Sequence, residues 1–167
     1  MTNESRKFLL DTNVLITAHR SYYAFDLCPG FWQSISDGHA AGRLCSTVRV
    51  RDELLKGKDL LADWLKITLP DGFFLDDSSA EIATEYGPLM SWVVARGFTS
   101  GAQAKFASDA DGWLIATAKK EGFCLVTHEV SRPEARAKVQ MPDVCKEFGV
   151  AYCNTFDMLR ELGCKFQ

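Results

Sequence analysis

The sequence predicts an α/β fold, a parallel sheet with helices on both faces. Two observations predict it. Short apolar runs alternate with helix-patterned segments along the whole chain, and strands separated by helices imply parallel pairing. Hydrophobic residues make up 47% of 167 residues, enough for one sizeable core and too many for a disordered chain. One domain over residues 1–167 is expected.

Lys7–Leu10 reads as a first strand ending at Asp11, followed by a helix over Asn13–Ala18. Pro29 opens a second helix as a first-turn proline, with Phe31, Trp32 and Ile35 on one face and Gly42 beyond its end. Leu44–Ser46 is a second strand. Thr47 can cap a helix carrying Val50, Leu54 and Leu55, with Gly57 as its stop. Helix resumes over Asp59–Leu65. Pro70–Asp77 reads as a loop around Phe73-Phe74-Leu75. Ser79–Arg96 is a long helix that Gly87-Pro88 should kink or split. Thr99–Ser108 is a connector with room for a short helix. A strongly apolar helix runs from Asp109 or Ala110 to Glu121 and is ended by Gly122, with the buried strand Phe123–Thr127 after it. A charged loop, Ser131–Val139, precedes a helix from Pro142 to Gly149, a strand at Val150–Cys153 and a last helix from Thr155 to Leu162.

Composition narrows the function classes. The net charge of −3 is not that of a protein that coats nucleic acid, though an acidic chain can carry a local basic rim. No apolar run reaches the roughly 18 residues of a membrane span. Met1–Lys7 leads straight into a strand too short for a signal-peptide core. Six cysteines lie scattered with no C-x-x-C pair, which reads as reduced thiols in a cytoplasm.

Four acids stand at strand exits or helix starts: Asp11, Glu53, Asp111 and Glu129. In open α/β sheets this rim is where active sites form. Each has a plain structural use. Asp11 can cap a helix, Glu53 can be a surface acid beside the Val50/Leu54 stripe, and Asp111 suits a helix dipole. As a set they would repel one another unless cations sat between them, and hard carboxylate oxygens suit Mg²⁺ or Mn²⁺. Such ions activate water for phosphodiester hydrolysis, so a metal-dependent nuclease is expected. Asn13 and Thr127 could fix a carboxylate, a metal-held water or a phosphate. Asp109 is a second candidate beside Asp111, as Asp52 is beside Glu53. His128 is expected to pack or meet solvent. A phosphatase with Asp11 as nucleophile would want an acid two residues on, where Asn13 stands.

Leu9-Leu10-Asp11-Thr12-Asn13-Val14-Leu15-Ile16, Asp111-Gly112-Trp113-Leu114-Ile115-Ala116 and Leu125-Val126-Thr127-His128-Glu129 together resemble the motifs of PIN-domain ribonucleases, with Glu53 at the second acid. Glu129 departs from the family's usual Asp. Tyr23–Trp32 and Lys138–Cys145 resemble a bacterial, toxin-type PIN-like subfamily of poorly defined function. The resemblance implies a three-layer α/β/α PIN-like fold with a central parallel sheet of about four or five strands. It also implies Mg²⁺ or Mn²⁺ dependence, endonucleolytic cleavage of RNA, an antitoxin partner and a possible homodimer. Phosphate contacts are expected from Arg49, Arg51, Lys56 and Lys58, or from Arg132, Arg136 and Lys138. Tyr22, Tyr23 and Phe25 could stack on bases, pack in the core or meet a partner. The alternative is a catalytically silent PIN-like module that binds RNA or protein.

Overall fold

A computed structural model of the chain describes residues 5–166. Met1–Glu4, Gln167 and so the ends of the expected 1–167 domain lie outside the described residues. Five parallel strands form one sheet: β1 (Phe8–Leu10), β2 (Leu44–Thr47), β3 (Phe74–Leu75), β4 (Cys124–Val126) and β5 (Tyr152–Cys153). Their order is β3-β2-β1-β4-β5. The strands are short, but the central ones are apolar throughout: every residue of β1 and β4 is buried. Such runs fit only where helices cover both faces. Leu10 pairs with Val126 at the carboxyl end of β1 and β4.

From β1 the chain builds outward through β2 to β3, then crosses back to place β4 on the other side of β1. The order therefore reverses between β1 and β4. The crevice at such a switch point is where open α/β sheets bind ligands.

Nine helices connect the strands among the described residues. Four of them carry the site or its frame: α1 (Thr12–Thr17), α3 (Val48–Leu55), α6 (Ser100–Ser108) and α7 (Asp111–Glu121). Thr47 caps α3 as expected, accepting from the Val50 amide at 3.5 Å. Gly122, at φ 74°, ends α7 in the left-handed region that glycine reaches without strain. The remaining helices are α2 (Pro29–Ala40), α4 (Leu60–Thr68), α5 (Ala80–Ala95), α8 (Met141–Phe148) and α9 (Thr155–Glu161). No helix among the described residues is long and apolar enough to cross a membrane.

Two expectations need correction. Helix α5 runs unbroken through Gly87-Pro88. Both residues are exposed, while Ile82, Leu89 and Val93 are buried. The carbonyl that Pro88 leaves without a donor therefore lies on the wet side, and packing against α7 holds the helix together. The expected loop Pro70–Asp77 contains edge strand β3, paired as Ser46↔Phe74 and Thr47↔Leu75. Thr99–Ser108 resolves into a helix, α6.

Packing between α5 and α7 is tight at Gly112. A Cβ there would meet Tyr86 at 2.8 Å and Phe106 at 3.1 Å. Tyr86 stacks on Trp113 at 4.0 Å with the rings nearly parallel, and Arg49 lies over the other residue's indole at 4.2 Å. Alanine is the better helix former by about 1 kcal/mol, but overpacking a filled site costs about 1–3 kcal/mol. Gly112→Ala is expected to lower stability by about 1 kcal/mol or more in a urea melt; an unchanged or raised midpoint would show that α5 yields freely.

Candidate active site

Asp11 leaves β1 at the switch point. Its amide donates to the Val126 carbonyl at 3.1 Å, so the ladder with β4 continues through it and fixes its place. The residue is 1% exposed. It occupies the N-cap position of α1, yet its side chain makes no capping hydrogen bond. The plain explanation of this acid as a cap is therefore not what the structure uses. Among the described residues its one side-chain donor is the Thr127 hydroxyl, at 3.3 Å. Burial, then the nearby charges of Asp111 and Glu129, pushes its carboxyl well above the usual range.

Asp111 opens α7, and no protein group among the described residues hydrogen-bonds its carboxylate. Burial raises it to about 7, and Glu129, Asp109 and Glu53 add to the rise. Asp11, buried, and Asp111, half-buried, thus face like charges with almost no donors among the described residues.

The other two acids are held. Glu53 reaches inward from α3, accepting the Thr12 hydroxyl at 2.7 Å and the Ala110 amide at 3.2 Å. It thereby ties the start of α1 to the start of α7. Glu129 accepts the Met141 amide at 2.7 Å and pairs with Lys138 at 3.1 Å. Thr127 also accepts the Glu129 amide at 3.1 Å, so one hydroxyl links the first and fourth acids.

These residues share one cavity of about 300 Å³, lined by Asp11, Thr12, Asn13, Ile16, Glu53, Lys105, Asp109, Asp111, Glu129 and Lys138. The structure thus brings together Asp11, Glu53, Asp111, Glu129, Asn13 and Asp109. Thr127 lies just beneath, on Asp11. Asp109 takes Lys105 as partner at 2.6 Å. Asp52 is exposed and paired with Arg51, so it stands apart from the cavity. His128 packs on Thr155 through a 3.1 Å hydrogen bond, the expected structural use.

Thr12 and Lys105 were not singled out in the sequence. Lys105 had a readable signal, its i,i+4 spacing to Asp109. Thr12 had none, since its partner is 41 residues away. The expected aromatic stackers are mostly committed to packing. Tyr23 lies flat on Phe31 at 4.5 Å, and Phe25 sits 4.3 Å from Trp32.

Among the described residues, no group of three or more His, Cys, Asp or Glu side chains is arranged to hold a metal ion as they stand. The donor chemistry nonetheless suits one. Among the described residues no side chain or backbone amide hydrogen-bonds the Asp111 carboxylate and the Thr127 hydroxyl is the one side-chain donor to that of Asp11, and their mutual repulsion would be relieved by a hard divalent cation.

The acids give a pH prediction for metal-free protein. Asp111 rises from the ordinary 3.8 to about 7 on folding, so the folded state holds its proton more tightly than the unfolded state. Stability is then full below about 4 and falls as pH climbs through about 7. In EDTA, Tm should drop between pH 5 and pH 8, and Asp111→Asn should flatten that drop. A Tm that rises across this range in the wild type would contradict the assigned burial.

A family model described as "Domain of unknown function (DUF4411)" matches residues 8–166, and the chain belongs to that family. No curated protein matches it. Among solved structures, FitAcB from Neisseria gonorrhoeae is 20% identical with a TM-score of 0.56, covering 89% of this chain and 98% of that one. VapBC from Salmonella typhimurium, bound to DNA, is 17% identical at a TM-score of 0.55, covering 89% and 98%. VapBC2 from Rickettsia felis, bound to a promoter DNA fragment, is 18% identical at 0.53, covering 88% and 97%. At these identities the likeness is one of fold, and the fold is the PIN-like one expected from the sequence.

Proposed function

We propose, for this member of the DUF4411 family, a Mg²⁺- or Mn²⁺-dependent endoribonuclease that hydrolyses phosphodiester bonds in RNA and serves as the toxin of a toxin–antitoxin pair. One observation carries the reading. Asp11, buried, and Asp111, half-buried, come from different elements and line one cavity as donor-poor carboxylates at the switch point of a parallel sheet, with Glu53 and Glu129 beside them.

A divalent cation held by Asp11 and Asp111 would activate water and offset the charge that builds up in an in-line displacement. The chain's own residues prepare the place. Thr127 orients Asp11. Thr12 and the Ala110 amide fix Glu53 at the join of α1, α3 and α7. Lys138 and Lys105 supply positive charge at the rim, where a phosphate would approach. The toxin reading is supported by the sequence resemblance and by fold likeness to chains of VapBC structures. An antitoxin partner, a homodimer and a cytoplasmic setting belong to the same proposal; all six cysteines are free, in keeping with a reducing compartment.

One observation favours the second reading, a catalytically silent PIN-like module binding RNA or protein. Glu53 and Glu129 already use their oxygens on protein donors and Lys138, which leaves two acids free rather than four.

Purified protein incubated with a mixed single-stranded RNA pool and Mn²⁺ is expected to cut it. Asp11→Asn/Asp111→Asn should lower the rate on the order of 10²–10³-fold or more, the scale of losing a charge stabiliser at a reacting centre. Cutting that survives both EDTA and the double variant would refute the nuclease reading; a folded wild type that neither cuts nor binds metal would favour the silent module. Thr12→Val leaves the four acids in place but releases one Glu53 oxygen. Such supporting partners are worth about 10–100-fold in metal affinity or activity, so the Mn²⁺ concentration for half-maximal cutting should rise by about that factor. An unchanged requirement would show that Glu53 does not depend on Thr12.

A further inference from the structure

A second cavity opens beside the acids. It has a volume of about 390 Å³ and is lined by Asn13, Thr17, His128, Glu129, Val130, Arg132, Lys138 and Gln140. Asn13, Glu129 and Lys138 line the acid cavity as well, so the two spaces adjoin. Pockets for small organic ligands run from about 300 to 1,000 Å³, and one nucleotide fits at the lower end.

The lining has the chemistry of a nucleotide site. Val130 is 65% exposed and offers an apolar surface to a base. Asn13 and Gln140 bring amides that both donate and accept hydrogen bonds. Two cations stand on the wall. Lys138 is at the border with the acids, paired to Glu129. Arg132 is exposed, and among the described residues its guanidinium has no ion pair or hydrogen bond. Its backbone, in contrast, is fastened: Asp143 accepts the Arg132 amide at 3.0 Å and the Ser131 hydroxyl at 2.6 Å. Lys146 holds that same hydroxyl at 2.9 Å. A pinned backbone carrying a free guanidinium is suited to meet an anion at a fixed place.

The other cations near the site are spent elsewhere. Arg136 donates to the Pro133 and Ala135 carbonyls and lies over Phe98. Arg49 pairs with Asp77, and Arg51 with Asp52. Lys56 and Lys58, past the end of α3, line neither cavity.

We infer that this trough is a subsite for one nucleotide of single-stranded RNA, with Arg132 and Lys138 on the phosphates either side of it and Val130 against its base. The assignment rests on the nuclease reading, because it places that nucleotide next to the bond to be cut. It gives the RNA a direction of travel, from Lys105 across the acids to Lys138 and on to Arg132. An open, polar trough with few apolar residues favours a phosphate polymer over a protein segment.

The test uses Asp111→Asn protein and a fluorescent oligouridylate of about eight nucleotides, within the range of single-strand sites, carrying one 4-thiouridine for photo-crosslinking. The parent should bind and crosslink within residues 128–140. Arg132→Ala in that background should weaken binding about tenfold and flatten the salt dependence by about 0.7 in log–log slope, one phosphate of a single strand. Val130→Asp should weaken it similarly, with circular dichroism unchanged for both. Arg160→Ala, remote from the trough, should leave binding as it was. These results support the subsite even if wild-type protein with Mn²⁺ cuts no RNA, in which case the nuclease reading alone falls. Affinity unmoved by Arg132→Ala and Val130→Asp, with crosslinks elsewhere, overturns the subsite even if wild type cuts RNA, and leaves the trough to a protein partner. No RNA binding by the parent overturns it too.

Discussion

Asp11 is 1% exposed and, among the described residues, has a single side-chain donor at 3.3 Å. Taking a carboxylate out of water costs several kcal/mol unless charge or hydrogen bonds replace the lost hydration. The fold enforces this placement rather than relieving it. Asp11 continues the ladder to β4, and β1 lies between β2 and β4 with both faces covered, so the side chain is held at the cavity on the sheet's carboxyl edge. Asp111 then brings a second acid to the same point. Protons or a cation would relieve the repulsion between the two, and the surrounding structure leaves their oxygens facing the cavity.

The supports are spread over distant parts of the chain. Glu53 binds Thr12 and Ala110, so α3 fixes the starts of both helices that carry the free acids. Behind it, Arg49, one helical turn before Glu53, pairs with Asp77 and lies over the ring of Trp113, two residues after Asp111. On the other side, Glu129 is drawn to the start of α8 and to Lys138. The site is thus framed by packing, hydrogen bonds and ion pairs that involve no ligand, while its two central carboxylates have few partners. Framed surroundings with unsatisfied centres are what a preorganised site requires.

The sequence made the central parts of this legible. Phe8-Leu9-Leu10 before Asp11 and Leu125-Val126 before Thr127 announce buried strands with polar exits, because nothing but a central strand keeps such runs dry. The first-turn position of Asp111 was readable from the apolar helix behind it. Side-chain commitments were less so. Whether Asp52 or Glu53 turned inward depended on helix phase and on a hydroxyl 41 residues away. The Gly87-Pro88 pair misled because its local penalty falls on the wet side of α5 while packing on α7 decides the outcome. Strand β3 is two residues long and exists through its register with β2, which no local pattern records. The trough beside the acids joins Asn13 and Thr17 of α1 to the loop that carries His128 and Arg132, more than 100 residues on, and had no linear signature.

The most direct test of the account is Mn²⁺ binding by titration calorimetry, comparing wild type with Asp11→Asn near neutral pH. The account predicts saturable binding by the wild type with release of protons from the buried acids, and its loss in a variant that keeps its fold by circular dichroism. Absence of binding by folded wild type, or binding equally tight in Asp11→Asn, would contradict it.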